Sequence, residues 1–334
     1  MSEVRGGAGE SGLPPTVAGT VVTVGTFDGV HRGHLDVISR LVARAEEKKL
    51  PSLLVSFDPH PLEVVNPAAA PRLLTTSEEK LEVIAETGLD YFALVPFTAG
   101  LAQYGADEFV DRILRARFRM DELLIGYDHG FGHRRAGNVE VLKSLGAARE
   151  FRVDVVEPVS LGDGQHVSST SIRRAVAGGD LDRAAEGLGR LYSISGTVVG
   201  GNARGRDLGF ATINLSGPPP RKLLPPHGVY AVMVQTPIGR FGGMLNLGPR
   251  PTFGDMEVSI EAHLFNVSAN FYDMRIRIDF VEFLRETRRF ADAGELVKQL
   301  ERDRDTALRA LTPFARSGNL KGSGRTGNLT PSAA

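Results

Sequence analysis

The spacing of apolar residues changes once along this chain, and that change limits the folds open to it. Up to about residue 187, short apolar runs alternate with helical repeats. "TVVTVG" from Thr20, "SLLVSF" from Ser52, "YFALVPF" from Tyr91, "ELLIGYD" from Glu122 and "FRVDVVEPV" from Phe151 read as strands. Between them, Leu35, Ile38, Val42 and Ala45 fall on one face of a helix over His34–Lys48. "TTSEEKLEVIAE" reads as a helix opened by a capping box from Thr76 to Glu79. Ala106–Arg117 and Asn138–Ala148 read as further helices, and two short ones close the region near 169–177 and 181–188. This rhythm predicts an α/β domain with a parallel, doubly wound sheet covered by helices on both faces.

After Tyr192 the rhythm becomes antiparallel. "YSISGTVVG", "GVYAVMVQT", "RFGGMLNLG", "EVSIEAHLF" and "RIRIDFVEF" are short strands separated by turn-rich segments. In the last, Ile276, Ile278 and Phe280 alternate inward, with Arg275, Arg277 and Asp279 outward. Strands of this kind predict a small antiparallel β-barrel, closed by a helix over about Gly294–Leu311. The chain has 334 residues, more than one core usually holds, which fits two domains. We expect them over 18–187 and 188–315. Residues 1–17 and the tail 316–334 are rich in small and polar residues and are expected to be disordered.

Composition narrows the function classes. The net charge of −1 gives no sign of bulk nucleic-acid or anionic-membrane binding. Without cysteine there is no disulfide, thiolate zinc site or cysteine nucleophile, which fits a cytoplasmic protein. No leader pattern opens the sequence, and no apolar run approaches the roughly 18–20 residues of a membrane span. An oligomeric state is not legible in it.

The chemistry concentrates where the strands end. In an open parallel sheet, ligands bind outside the carboxyl ends of the strands. There "GTFDGVHRGH", Gly25 to His34, places glycines and two histidines at a strand-to-helix turn. Glycine lets backbone approach a ligand, and a helix start offers free N–H groups to phosphate. His31 and His34, three apart, share a helix face, so two imidazoles aim at one point. Taken alone, the motif reads equally as a Gly-rich turn with surface histidines. It is neither a dinucleotide fingerprint nor a Walker loop. The second strand ends in "DPHP", with Asp58, Pro59 and His60, and the fourth in "GYDHGFG", with Asp128, Phe131 and Gly132. Beyond the fifth comes "HVSSTSIRRAV", where Ser168, Ser169 and Thr170 offer hydroxyls and helix-start N–H groups and Arg173 a fixed cation. Each has a plainer structural reading, a turn or an N-cap. Together they put several phosphate-friendly features on one sheet edge. His129 and His133 are four apart, but glycines between them argue against a helical metal pair.

"GTFDGVHRGH", "DPHP", "GYDxxFG" and "SSTSIR", in this order, resemble the adenylyltransferase half of the bacterial bifunctional riboflavin kinase/FMN adenylyltransferase (FAD synthetase) family. His129 departs from the aromatic residue usual there. The resemblance implies that His31, His34 and Arg173 stabilise phosphate charge in adenylyl transfer from ATP to FMN. It places Gly25, Phe27, Asp28, Gly33, Ser168, Ser169 and Thr170 around ATP. Asp58, Pro59, His60, Asp128, Phe131 and Gly132 would shape the flavin and ATP sites, with Leu62–Thr75 a long loop over the flavin.

In the second domain, "VVGGNARGRDLGFATINL" carries a loop of glycines and arginines, among them Gly200, Arg204, Gly205 and Gly209, able to wrap phosphates. Thr212 and Asn214, two apart in extended chain, point one way and could offer oxygens to Mg²⁺. A flexible loop before a strand is the plainer reading. On "EVSIEAHLF", Val258, Ile260, Ala262 and Leu264 share one face, and Glu257, Ser259, Glu261 and His263 the other. With "NLGPRPTFG" and the final helix, these segments resemble the family's riboflavin kinase domain, so the resemblance runs from about 20 to 312. It implies that Thr212 and Asn214 bind Mg-ATP and that Glu261 is the catalytic base. The family's Pro-Thr-Ala-Asn reads "ATIN" here, with Ile213 for alanine and with Ala211 for proline, which is expected to free the backbone before Thr212. The implied activity is FAD synthesis from riboflavin through FMN, with small-molecule partners only. The alternative is an adenylyltransferase with a weakened kinase half.

Overall fold

The computed structural model describes residues 1–4, 12–127, 130, 132, 137–157, 159, 164–200, 210–217, 221–251 and 256–316. By their contacts these divide into two compact units, 1–175 with 183–190 and 220–223, and 176–182 with 191–219 and 224–334. The division is not a single cut. Residues 221–223 follow the second unit's early strands in sequence yet belong to the first.

The first unit opens with strand β1, Ser2–Val4, then β2, Thr20–Val24, which leads into helix α1, Arg32–Lys48. β3 (Ser52–Asp58), α2 (Pro61–Val65), α3 (Ser77–Ile84) and β4 (Tyr91–Pro96) follow. Next come α4 (Ala106–Phe109), continuing as a π-helical stretch over Val110–Arg117, then β5 (Met120–Gly126), α5 (Val139–Arg149) and β6 (Arg152–Val156). Helices α6, Ser169–Gly178, and α7, Leu181–Leu188, follow, with residues 176–182 grouped in the second unit. All six strands are parallel, in the order β1-β4-β3-β2-β5-β6. The strand order reverses direction between β2 and β5, so the carboxyl end of β2 lies at the switch point of a doubly wound sheet. Strands β2 and β3 are buried along nearly their whole length. Apolar layers cover both faces, one built on Val22, Val55, Phe109 and Leu123, the other on Ile38, Leu41, Leu54 and Phe92.

Local chemistry explains where the helices begin. Thr76 and Glu79 form the expected capping box, with reciprocal bonds of 3.1 and 2.9 Å. Helix α1 starts two residues before His34, because His31 itself caps it by accepting from the His34 N–H. Segment 62–75, expected as a loop, holds α2 and a short 3₁₀ turn, and Leu73 pairs with the 221–223 segment. The described residues of the N-terminus, 1–4 and 12–17, differ from the disorder expected over 1–17. Ser2–Val4 pairs with Tyr91–Ala93, and Leu13 is buried in the core. Adding an edge strand requires only backbone N–H and C=O groups, so polar composition gave no sign of it.

The second unit is a closed antiparallel barrel of six strands. They are β7 (Ser193–Val199), β8 (Ile213–Leu215), β9 (Gly228–Thr236), β10 (Gly239–Pro251), β11 (Met256–Leu264) and β12 (Arg275–Arg285), in the order β10-β11-β8-β7-β12-β9. Helix α8, Ala293–Ala310, and the short α9, Thr312–Arg316, follow. Ala231, Met233 and Met244 pack in one cluster with Ala307 and Leu311, while Arg285 grips the buried Asp303 carboxylate with two nitrogens. Ile276, Ile278 and Phe280 are buried as their alternation predicts. Asp279, expected outward in solvent, is buried too, because Arg277 and Arg240 close over its carboxylate at 2.7 and 3.3 Å.

At the start of β9, a β-carbon added to Gly228 would lie 2.7 Å from the Arg285 carbonyl oxygen and 2.3 Å from the Phe283 ring. Backbone cannot yield there without moving β12. Gly228→Ala is expected to destabilise the barrel by about 1–3 kcal/mol, read as a lowered denaturant midpoint at unchanged slope.

Candidate active site

The turn leaving β2 is bound together by one buried carboxylate. Asp28 is 2% exposed. Its oxygens accept from the backbone N–H groups of Leu74 (2.9 Å) and Thr75 (3.1 Å) and from Arg173 Nη2 (2.8 Å). Its carbonyl accepts from Ser169 Oγ at 2.9 Å, and Thr75 Oγ1 accepts from Gly29 N–H. Three segments distant in sequence thus meet: the β2 turn, the strap before α3 and the start of α6. Sequence reasoning placed Asp28 beside a ligand; here its carboxylate is occupied within the protein. Phe27 and Val30 both hold positive φ, 46° and 40°, where bulky and β-branched residues are rare. Arg190 clamps the turn from α7's end, donating to the Gly29 and Val30 carbonyls.

The two imidazoles stack, with centroids 3.6 Å apart and planes 15° from parallel. Because His31 Nδ1 accepts from the His34 N–H, its neutral form carries the proton on Nε2. Phe27 packs against His34 at 4.8 Å. A β-carbon at Gly33 would press within 3.3 Å of the His31 ring, so the glycine keeps the helix start clear of it. Burial pushes the His31 pKa down to about 4, with Arg190 and Arg173 lowering it further against the opposing pull of Asp28. Burial holds His34 well below its usual value, helped by His31, Lys80, Arg190 and Arg173. His34 Nδ1 and Arg173 Nε are buried without a hydrogen-bond partner among the described residues. The result is a pair of neutral N–H donors surrounded by cations, an arrangement matched to a polyanion.

The other expected groups distribute unevenly. Asp58 is exposed at the end of β3, and its bond to Pro59 is cis. His60 caps α2 through Nδ1, and burial lowers its pKa to about 4. Ser168 bonds with Ser171, Ser169 holds Asp28, and Thr170 is exposed at the helix start. Gly25 opens the turn, and Gly132 adopts φ 78° with its Cα side against Ala106. Asp128, Phe131, His129 and His133 lie outside the described residues, as do Arg204, Gly205 and Gly209; Gly200 is at their edge. Lys80, Lys222 and Arg190 were missed by sequence reading. Lys222 is buried against Glu79 (2.6 Å) and the Leu74 carbonyl (2.7 Å), which fixes the strap that Asp28 holds. In sequence Lys80 resembles a surface helix residue and Lys222 a loop residue until the fold encloses them.

In the barrel, strand register brings the second constellation together. Glu261 on β11 lies opposite Asn214 on β8 and opposite Asn246 on β10, so all three share one face. Glu261 is half-buried and accepts from Ser259 Oγ at 3.0 Å. Neither Thr212 nor Asn214 makes a side-chain hydrogen bond among the described residues, which leaves two oxygen donors open. The backbone before Thr212 is tied despite Ala211: its carbonyl lies 2.8 Å from His263 Nδ1.

Since the lowered histidine pKa values mean that the unfolded chain binds protons the folded chain refuses, stability is expected to fall as pH drops from about 6.5 toward 4. In ¹⁵N imidazole spectra His31 is expected to titrate near pH 4; a midpoint near 6.5 would contradict the buried, neutral pair.

The comparisons agree with this two-part architecture. A family model described as FAD synthetase matches residues 13–171, and one described as riboflavin kinase matches 188–311. A bifunctional riboflavin kinase/FMN adenylyltransferase of Pseudomonas fluorescens is 37% identical over 304 residues, 91% of this chain and 96% of that protein. Its counterpart in Escherichia coli strain K12 is 36% identical over 293 residues, 86% of this chain and 92% of that protein. A crystal structure from Streptococcus pneumoniae, described as a macrolide-efflux protein, aligns with TM-score 0.78 and 27% identity over 90% of this chain and 97% of that one. Among the described residues here, no helix is long and apolar enough to cross a membrane. This chain belongs to the family of bifunctional riboflavin kinase/FMN adenylyltransferases.

Proposed function

We propose that this chain makes FAD in two steps, phosphorylating riboflavin in the barrel and adenylylating FMN in the doubly wound unit. The observation that carries the reading is the stacked pair of neutral imidazoles at the sheet's switch point, among Lys80, Arg173 and Arg190. In adenylyl transfer, an FMN phosphate oxygen forms a bond to the α-phosphorus of ATP as the bond to the β-phosphate oxygen breaks, releasing pyrophosphate. The nucleophile is already ionised, since the second pKa of a phosphate monoester is about 6, so no general base is required. Catalysis is then positioning and charge stabilisation. His31 through Nε2–H, His34 and the open Arg173 Nε donate to the phosphates, while the N–H groups at the start of α6 offer further donors. Asp58, His60 and the neighbouring loop border the flavin.

In the barrel the nucleophile is a hydroxyl, and Glu261 takes its proton as the oxygen attacks the γ-phosphorus of ATP and the bond to the β,γ-bridging oxygen breaks, releasing FMN and ADP. Thr212 and Asn214 offer two neutral oxygens, the donor type Mg²⁺ prefers, and neither is committed to a described protein group. When bound there, Mg²⁺ would neutralise charge on the phosphates being transferred. Gly200, Arg204, Gly205 and Gly209 would wrap the same phosphates. The weakened-kinase alternative rests on the substitutions around Thr212, Ala211 and Ile213; the His263 contact restrains the backbone at Ala211 and supports two working halves. We place the protein in the cytoplasm, with riboflavin, FMN and ATP as its partners.

Incubating the protein with riboflavin, ATP and Mg²⁺ is expected to yield FMN and then FAD by chromatography. His34→Ala should lower FAD formation by at least about 100-fold while sparing FMN formation. Glu261→Ala should do the reverse, with supplied FMN still adenylylated. A Glu261→Ala variant that phosphorylates riboflavin normally would remove the base assignment.

A further inference from the structure

One of the buried cations around the imidazoles is given no task of its own in the reaction as derived above. Lys80, in the first turn of α3, is 6% exposed. Its ammonium donates to the Thr26 carbonyl at 2.6 Å and to Ser56 Oγ at 3.1 Å, and Ser56 Oγ in turn donates to that carbonyl. Among the described residues no carboxylate comes within ion-pair distance of it. A buried cation without a paired anion is costly, and a methionine of similar length would fill the same space.

The two groups it holds explain its place. Thr26 belongs to the turn leaving β2, and Ser56 to β3, the neighbouring parallel strand. Lys80 therefore bridges the carboxyl ends of two adjacent strands beneath the turn that carries His31. The next residue, Phe27, has the positive φ and rests its ring against His34. The ionisable groups whose charge reaches Lys80 are Asp28 in the turn, Asp58 at the end of β3, His34 on α1 and His60 at the start of α2. All four were expected at the nucleotide or flavin site.

We propose that Lys80 is a positioning residue for adenylyl transfer: its ammonium fixes the turn that presents His31 and His34, and its unpaired charge is complemented by the phosphates of the bound nucleoside triphosphate. The anion missing from the protein is thereby supplied by the ligand. This rests on assigning adenylyl transfer to the first unit. Burial lowers the Lys80 pKa to about 8, with Asp28 and Asp58 opposing it, so the charge is lost just above neutrality in the free protein. Bound phosphate should restore it.

Two measurements on the full-length chain test the proposal. With ¹³C at the lysine ε-carbons, one resonance is expected to titrate near pH 8 and to be missing from Lys80→Arg and Lys80→Met. Saturating ATP should move that midpoint to about pH 9 or higher, a response that a merely structural lysine would not give. In kinetics, Lys80→Met should lower kcat for FMN adenylylation about 100-fold, with riboflavin phosphorylation unchanged within about twofold. Wild-type kcat/KM for adenylylation is expected to fall above about pH 8 as Lys80 loses its charge, and Lys80→Arg, whose charge does not titrate in that range, should remove the fall. A midpoint unmoved by ATP, or a Lys80→Met variant that adenylylates FMN at the wild-type rate, overturns the proposal. Should Lys80→Met also lose riboflavin phosphorylation, it is misfolded, and the ATP-induced shift in wild type decides. A wild-type chain that forms no FAD from FMN instead overturns the assignment of function.

Discussion

A carboxylate sealed from water must find donors within the protein, and Asp28 finds them on segments far apart in the chain. Removing one partner from such a group typically costs several kcal/mol, so the arrangement is maintained cooperatively. Two backbone N–H groups of the strap, the guanidinium of α6 and the β2 turn are brought together as one assembly. The positive φ values of Phe27 and Val30 persist because this assembly leaves the turn no alternative path. Arg173 is oriented by the same contact, with one nitrogen on Asp28 and another left open near the imidazoles. Lys222 and Glu79 secure the strap from behind, which makes the arrangement of donors around the β2 turn a consequence of buried electrostatics.

The two units answer different chemical demands with different residue types. A phosphate nucleophile arrives charged and needs stabilisation of charge building on the leaving pyrophosphate. In the function proposed above, neutral imidazoles and nearby cations would supply that without moving a proton. A ribityl hydroxyl must lose a proton, and the barrel offers a half-buried carboxylate beside two uncommitted oxygens. The contrast explains why one site gathers positive groups and the other is built on Glu261, Asn214 and Asn246. Each constellation stands where its architecture concentrates side chains from several strands, the switch point in one case and neighbouring barrel strands in the other.

Both architectures were legible in the order of the repeats, because a period of two or of 3.6 follows from which face must be dry. The motif residues were legible by type. Glycine, histidine and serine at strand ends have few structural uses that explain them together. The edge strand Ser2–Val4 was not, since backbone pairing leaves no side-chain pattern. Nor was the burial of Asp279, which depends on two arginines brought over it by the barrel. The restraint on Ala211 was hidden for a similar reason: proline restrains its own backbone, whereas His263 acts across 52 positions of sequence.

The sequence by itself determined a wound parallel sheet followed by a barrel, and it marked His31, His34, Arg173, Thr212, Asn214 and Glu261 as the residues to watch. Local periodicity and residue chemistry suffice for that. Tertiary structure alone decided which charges are paired and which are open. It turned Asp28 inward to its backbone donors, enclosed Lys80 and Lys222, and lowered the pKa of both stacked imidazoles by burial. Burial and electrostatics depend on distances between segments that the order of residues does not record, so those properties appear only once the chain has closed on itself.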